Sequence, residues 1–144
     1  MKKIPKKDLN KPRFAVDINT SFNTLNKNFG GFATFTSTAR ITKSQITKDP
    51  DIIKKCNQKN YHIITHNTVD FIEALRNLLD INIGIICINL DEKHYLSKFG
   101  ALLRKLPKHE NYYNKLIQVG NETKIISYTK LRNGTNKHEI NNRN

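Results

Sequence analysis

The sequence predicts an α/β fold built on a mainly parallel sheet of about four to five strands between helical layers. Three observations carry that prediction. Short continuous apolar runs, such as IGIICIN at Ile83 to Asn89, have the pattern of strands covered on both faces. Segments with helical apolar spacing separate those runs, as in Phe71, Ala74, Leu75, Leu78 and Leu79. Strands and helices alternate along the chain, which is the order a parallel sheet requires.

Met1 to Pro12, with five lysines and two prolines, reads as a mobile basic arm. Arg13 to Asp17 (RFAVD) reads as a buried strand ending in an acid. Ile18 to Phe29 has helical spacing through Phe22, Leu25 and Phe29, with Gly30 and Gly31 as its stop. Phe32 to Thr36 alternates as a strand, and Thr38 to Lys48 is a polar, basic loop or short helix. Asp49-Pro50-Asp51 is a helix start, with Asp49 as N-cap, Pro50 in the first position and Asp51 in the first turn. Ile52, Ile53 and Cys56 supply that helix's apolar face.

Tyr61 to Phe71 (YHIITHNTVDF) is the centre of the pattern. Ile63 and Ile64 fit a buried strand, and its carboxyl end delivers Thr65, His66 and Asn67 before Asp70 opens the next helix. Tyr95, Leu96, Phe99, Leu102, Leu103 and Leu106 describe a helix that Pro107 closes. Glu110 to Val119 is expected to form a further helix, and Lys124 to Thr129 a last strand. One domain, 13–132, is expected between the arm and a polar, disordered tail, 133–144.

Of the 144 residues, 25 are Lys or Arg and 12 are Asp or Glu, giving a formal net charge of +13. Such a charge favours a polyanion as partner, nucleic acid first. The two cysteines, Cys56 and Cys87, sit in apolar patterns and read as reduced core thiols. Nothing in the sequence has the length of a membrane span or the h-region of a secretion signal, so a soluble, cytoplasmic protein without membrane contact is expected. No Gly-rich phosphate loop, zinc-type Cys–His spacing or nucleophile elbow is present, which removes those chemistries from consideration.

Acids are few, so their placement is informative. In a parallel sheet the strands before Asp17 and Asp70 can be neighbours, which brings both carboxylates to the carboxyl edge where such folds bind ligands. The helix carrying Asp51 starts at the same edge. Asp17, Asp51 and Asp70 together would make an oxygen-rich site for Mg²⁺ or Mn²⁺, beside which a phosphodiester and an activated water can sit. Asn19, Thr65, His66 and Asn67 are the supporting polar residues, and Thr65 and Asn67 also suit hydrogen bonds within the turn. Lys98, Arg104, Lys105, Lys130 and Arg132 form a candidate RNA-guiding face that reads equally as a solvated helix surface. Tyr112 and Tyr113 are candidates for stacking on bases.

Three segments then give the chain a family resemblance. VDIN at Val16 to Asn19, DIIKKC at Asp51 to Cys56, and THNTVDF at Thr65 to Phe71 occur in order. Together they resemble the PIN-like ribonucleases, above all the minimal toxin members of toxin–antitoxin pairs. The resemblance spans Arg13 to Arg132. It implies a three-layer α/β/α fold, Mg²⁺- or Mn²⁺-dependent RNA cleavage with Asp17, Asp51 and Asp70 as metal ligands, an antitoxin partner and a homodimer. Larger members carry a further acid between the first two aspartates, whereas Ile18 to Lys48 contains none here. The same scaffold without catalysis, binding nucleic acid or protein, is the alternative.

Overall fold

The computed structural model describes residues 10–17, 20–43, 49–78 and 80–132. Most of the expected basic arm, the expected tail and Asn19 lie outside the described residues.

The first strand, β1 (Arg13–Val16), is followed by α1 (Phe22–Phe29), whose N-cap Ser21 accepts a bond from the Thr24 amide. Next come β2 (Thr34–Ser37), the short α2 (Thr38–Thr42) and α3 (Asp49–Lys59). The central strand β3 (His62–Thr65) leads into α4 (Thr68–Arg76), and β4 (Ile85–Ile88) leads into α5 (Glu92–Lys105). A 3₁₀ turn at His109–Tyr112, the hairpin β5 (Lys115–Val119) and β6 (Thr123–Ser127), and α6 (Tyr128–Arg132) complete the described chain.

The sheet has six strands in the order β2-β1-β3-β4-β5-β6. All neighbours are parallel except β5 and β6. The expected class and the mainly parallel sheet hold, but the strand number exceeds four to five, and the sheet is mixed. The extra strand is β5, where a helix was expected. Leu116, Ile117 and Val119 are buried, and the whole segment pairs with β4. Asn114, in the left-handed region at φ 61°, ends the preceding turn and releases the chain into extended backbone. β6 is antiparallel because the connection from Val119 to Thr123 is a tight turn, far too short for a crossover.

Alternate strand residues feed two cores, one on each face. Ala15, Ile63, Ile85, Cys87 and Leu116 pack with Ile52, Ile53 and Cys56 of α3 and with Phe71, Ile72, Ala74 and Leu75 of α4. Phe14, Val16, Ile64, Ile86 and Ile117 pack instead with Leu25 of α1 and with Tyr95, Phe99, Leu102 and Leu103 of α5. The helix after β1 therefore goes to one face and the helix after β3 to the other. These two strands are adjacent, so the carboxyl edge between them is the topological switch point at which open α/β sheets form a crevice. No helix among the described residues is long and apolar enough to cross a membrane.

Candidate active site

Asp17 stands directly after β1 at the switch point and is 5% exposed. Its backbone amide donates to the Ile64 carbonyl (2.8 Å), which extends the β1–β3 ladder by one residue and fixes where the carboxylate begins. The buried Thr65 hydroxyl donates to Asp17 Oδ2 at 2.9 Å and accepts the Asn67 amide at 2.9 Å. Asn67 in turn donates its side-chain amide to Asp49 Oδ2 at 3.1 Å. One threonine and one asparagine thus link the carboxylates of Asp17 and Asp49.

Asp49, not Asp51, is the α3 acid at this edge. It is half-buried, and burial first, then the charges of Asp17 and Asp70, push its carboxyl above the usual range. Asp70, exposed in the first turn of α4, lines a cavity of about 540 Å³ with Asp49, Asn67, Glu73 and Asn77. Asp51 is exposed on the outer side of α3, where it lines a separate notch with Thr42, Lys54, Lys55 and Gln58. The expected trio is therefore corrected: the structure places Asp17 and Asp70 at one edge, puts Asp49 between them, and turns Asp51 away.

Helical periodicity explains the exchange. Asp49 lies three and four residues before Ile52 and Ile53, and seven before Cys56, so it shares the buried face of α3. Asp51 precedes the exposed Lys54 and Lys55 by the same spacings and shares the solvent face. Cys56 reports the same orientation, because burial and then the charge of Asp17 raise its thiol to about 12. The sequence carried this signal in the spacing of Ile52, Ile53 and Cys56. The cap reading of Asp49 hid it, and in the structure Asp49 is the first residue of the helix.

Among the supporting residues, Thr65 and Asn67 bond the acids directly. His66 shares a 2.6 Å hydrogen bond through Nδ1 with Thr20 Oγ1, and its ring meets the edge of Tyr95 at 5.6 Å. Thr20 returns its amide to the Asp17 carbonyl at 2.9 Å, so His66 braces the loop that follows Asp17. Across the edge, Thr68 donates to Asn89 Oδ1 at 2.7 Å and joins the ends of β3 and β4.

Of the expected basic face, Lys98 stands at the carboxyl edge but beyond β4, where it donates to the Asn121 carbonyl at 2.8 Å beside the β5–β6 turn. Arg104 and Lys105 end α5, which starts at the carboxyl edge and returns the chain to the opposite one, as the parallel β4–β5 pair requires. Lys130 and Arg132 lie on α6, which follows the antiparallel β6 and so also starts at the far edge, and their side chains lie outside the described part. Tyr112 is fully buried, with its hydroxyl donating to the Leu106 carbonyl, so it is a core residue and not a stacking platform. Tyr113 donates to Asn60 Oδ1, also at the far edge.

Among the described residues the acidic side chains at the crevice have no Lys, Arg or His partner, since the only such pair is Asp91 with His94 at the start of α5. Equally, no three His, Cys, Asp or Glu side chains among the described residues are grouped closely enough to hold a metal ion. The three acids are neighbours rather than a closed ligand shell. Compared with family models, curated proteins and solved structures, the chain matches none.

Proposed function

We propose that the chain is a metal-dependent endoribonuclease with a PIN-like three-layer architecture, its acids being Asp17, Asp49 and Asp70. One observation supports this reading above the rest. Asp49 and Asp70 line one cavity at the switch point, the buried Asp17 is tied to Asp49 through Thr65 and Asn67, and in a chain of net charge +13 no basic side chain among the described residues neutralises them. A protein so rich in lysine has cations to spare, so the lack of one beside these acids among the described residues favours a mobile cation as their counter-charge.

The donor chemistry fits Mg²⁺ or Mn²⁺, because carboxylate oxygens suit hard ions and the nearby thiol of Cys56 is held protonated. No three acids among the described residues are grouped closely enough to hold such an ion as they stand, so Asp17, Asp49 and Asp70 would have to close on it, and it would then supply Lewis acidity and an activated water. The chain's own residues prepare the ligands. Thr65 fixes one oxygen of Asp17, and Asn67 fixes one oxygen of Asp49. Asp17 of VDIN and Thr65, Asn67 and Asp70 of THNTVDF, the segments through which the chain resembles the toxin-type ribonucleases, all stand at this edge, and the matching antitoxin and dimer belong to the same proposal.

The test is cleavage of labelled single-stranded RNA in Mn²⁺ by wild type and by Asp17→Asn, Asp49→Asn, Asp70→Asn and Asp51→Asn. The first three are expected to lose cleavage by about a hundredfold or more, on the scale of removing one electrostatic catalytic group. Asp51→Asn is expected to keep it. Equal cleavage by all variants, or loss confined to Asp51→Asn, overturns the assignment. The second reading, a non-catalytic nucleic-acid- or protein-binding module on the same scaffold, is favoured by the absence of a closed three-ligand group among the described residues. Metal-independent RNA binding with no cleavage by wild type would select it.

A further inference from the structure

We propose that the notch between α2 and α3 binds the phosphate backbone of single-stranded RNA and leads the strand into the acidic crevice. The choice of RNA rests on the ribonuclease reading above. The notch has a volume of about 260 Å³ and is lined by Lys54, Lys55, Gln58 and Asp51 of α3 and by Thr42 of α2. Asp51, Lys54, Lys55 and Gln58 recur at spacings of three, four and seven, so they form one exposed stripe opposite the buried Ile52, Ile53 and Cys56.

Charge and position both favour a backbone anion. Lys54 and Lys55 are exposed, and neither makes an ion pair among the described residues. Arg40 and Lys43 of the adjoining α2 segment are exposed as well. The Gln58 amide is the kind of neutral donor that accompanies lysines at phosphates, whereas the Thr42 hydroxyl already donates to the Thr38 carbonyl at 3.1 Å. Lys54 and Lys55 follow Asp49 by five and six residues, a rise of roughly 8 Å along the helix at 1.5 Å per residue. At about 100° per residue they also lie roughly 120–140° around the helix from Asp49, so a strand would pass from the notch to the crevice around α3.

Asp51 gives the proposal a test of opposite sign. Placed at the entrance of this stripe, its charge repels a phosphate and sets a limit on affinity, so its removal should tighten binding. As a metal ligand it would do the reverse to cleavage.

The experiment is anisotropy of labelled single-stranded RNA with the full chain in EDTA, as salt rises from about 50 to about 200 mM. Lys54→Ala/Lys55→Ala is expected to weaken binding about tenfold or more near 0.1 M salt. The slope of log affinity on log salt should become shallower by about 0.7 for each lysine, or about 1.4 together. Asp51→Asn should tighten binding several-fold, and Asp51→Lys should tighten it further, gains that a misfolded variant cannot mimic. Arg104→Ala/Lys105→Ala, at the far edge, should change affinity less than twofold. Unchanged affinity and slope in Lys54→Ala/Lys55→Ala, a loss confined to Arg104→Ala/Lys105→Ala, or no RNA binding by wild type overturns the proposal. Because EDTA removes divalent metal, binding is read separately from cleavage: a wild type that binds through the notch without cutting sinks the ribonuclease reading alone.

Discussion

Asn67 gives its side-chain amide to Asp49, 3.1 Å away, instead of capping the helix that it begins. At an N-cap, asparagine normally accepts a bond from the first turn of its own helix, a contact worth about 1 kcal/mol. Here α4 goes without that bond, and a carboxylate on a different helix gains a donor. The bond ties α4 to α3 at the acidic edge at the expense of the helix's own cap, the kind of local conflict expected where function competes with stability.

Replacing that side chain separates the two roles. Asn67→Ser is too short to reach Asp49 but can cap α4, so its thermal midpoint should equal or exceed that of wild type. Its Mn²⁺-dependent cleavage should fall about tenfold, the effect of losing one group that orients a ligand. Thermal unfolding and a cleavage time course on the same preparation check both halves. A variant that unfolds earlier yet cuts normally would show that Asn67 serves the helix.

Thr65 is buried between Asp17 and the Asn67 amide, so Thr65→Val removes two hydrogen bonds while keeping the shape. A buried carboxylate that loses a donor costs about 1.5–3 kcal/mol, and urea unfolding should show a loss of that size. In an Asp17→Asn background the penalty should shrink, because no buried charge is left without its donor. Equal penalties in the two backgrounds would refute the coupling.

Acid should destabilise the fold from its far edge. His62 is fully buried, with Nδ1 accepting the Gly84 amide and Nε2 donating to the His109 carbonyl, so it is neutral. Burial first, then the neighbouring His109, lower its pKa to about 3, while burial and the charge of Arg13 lower that of His109 to about 4. Unfolded histidines titrate near 6.5, so between that pH and the folded values the unfolded chain binds more protons. Stability is then fully present above about pH 6.5 and falls as pH drops toward 4. Asp49 acts with the opposite sign, since a raised folded pKa contributes stability at low pH that is lost as pH rises through it. Urea midpoints between about pH 8 and about pH 4 check this, with His62→Gln, which cannot titrate, expected to flatten part of the decline.

The helical layers and the parallel core were legible because apolar periodicity encodes burial directly. The runs around Ile63–Ile64 and Ile85–Ile88 are buried on both faces, as their composition requires. β5 was not legible, because the preceding Glu110–Tyr113 suggests a helical turn and the strand is made by its pairing with β4. A short apolar run such as Leu116–Ile117 has no period of its own long enough to decide between helix and strand.

The sequence by itself determined that acids follow β1 and β3, that another pair opens α3, and that the chain around them is strongly basic. Only the tertiary structure decided which member of that pair faces the crevice. Two residues apart on a helix, Asp49 and Asp51 point roughly 200° away from each other, so one rotational setting can bring only one of them to the crevice. The burial of Ile52, Ile53 and Cys56 against the sheet fixes that setting, turning Asp49 toward Asp17 and leaving Asp51 among the lysines of the outer face.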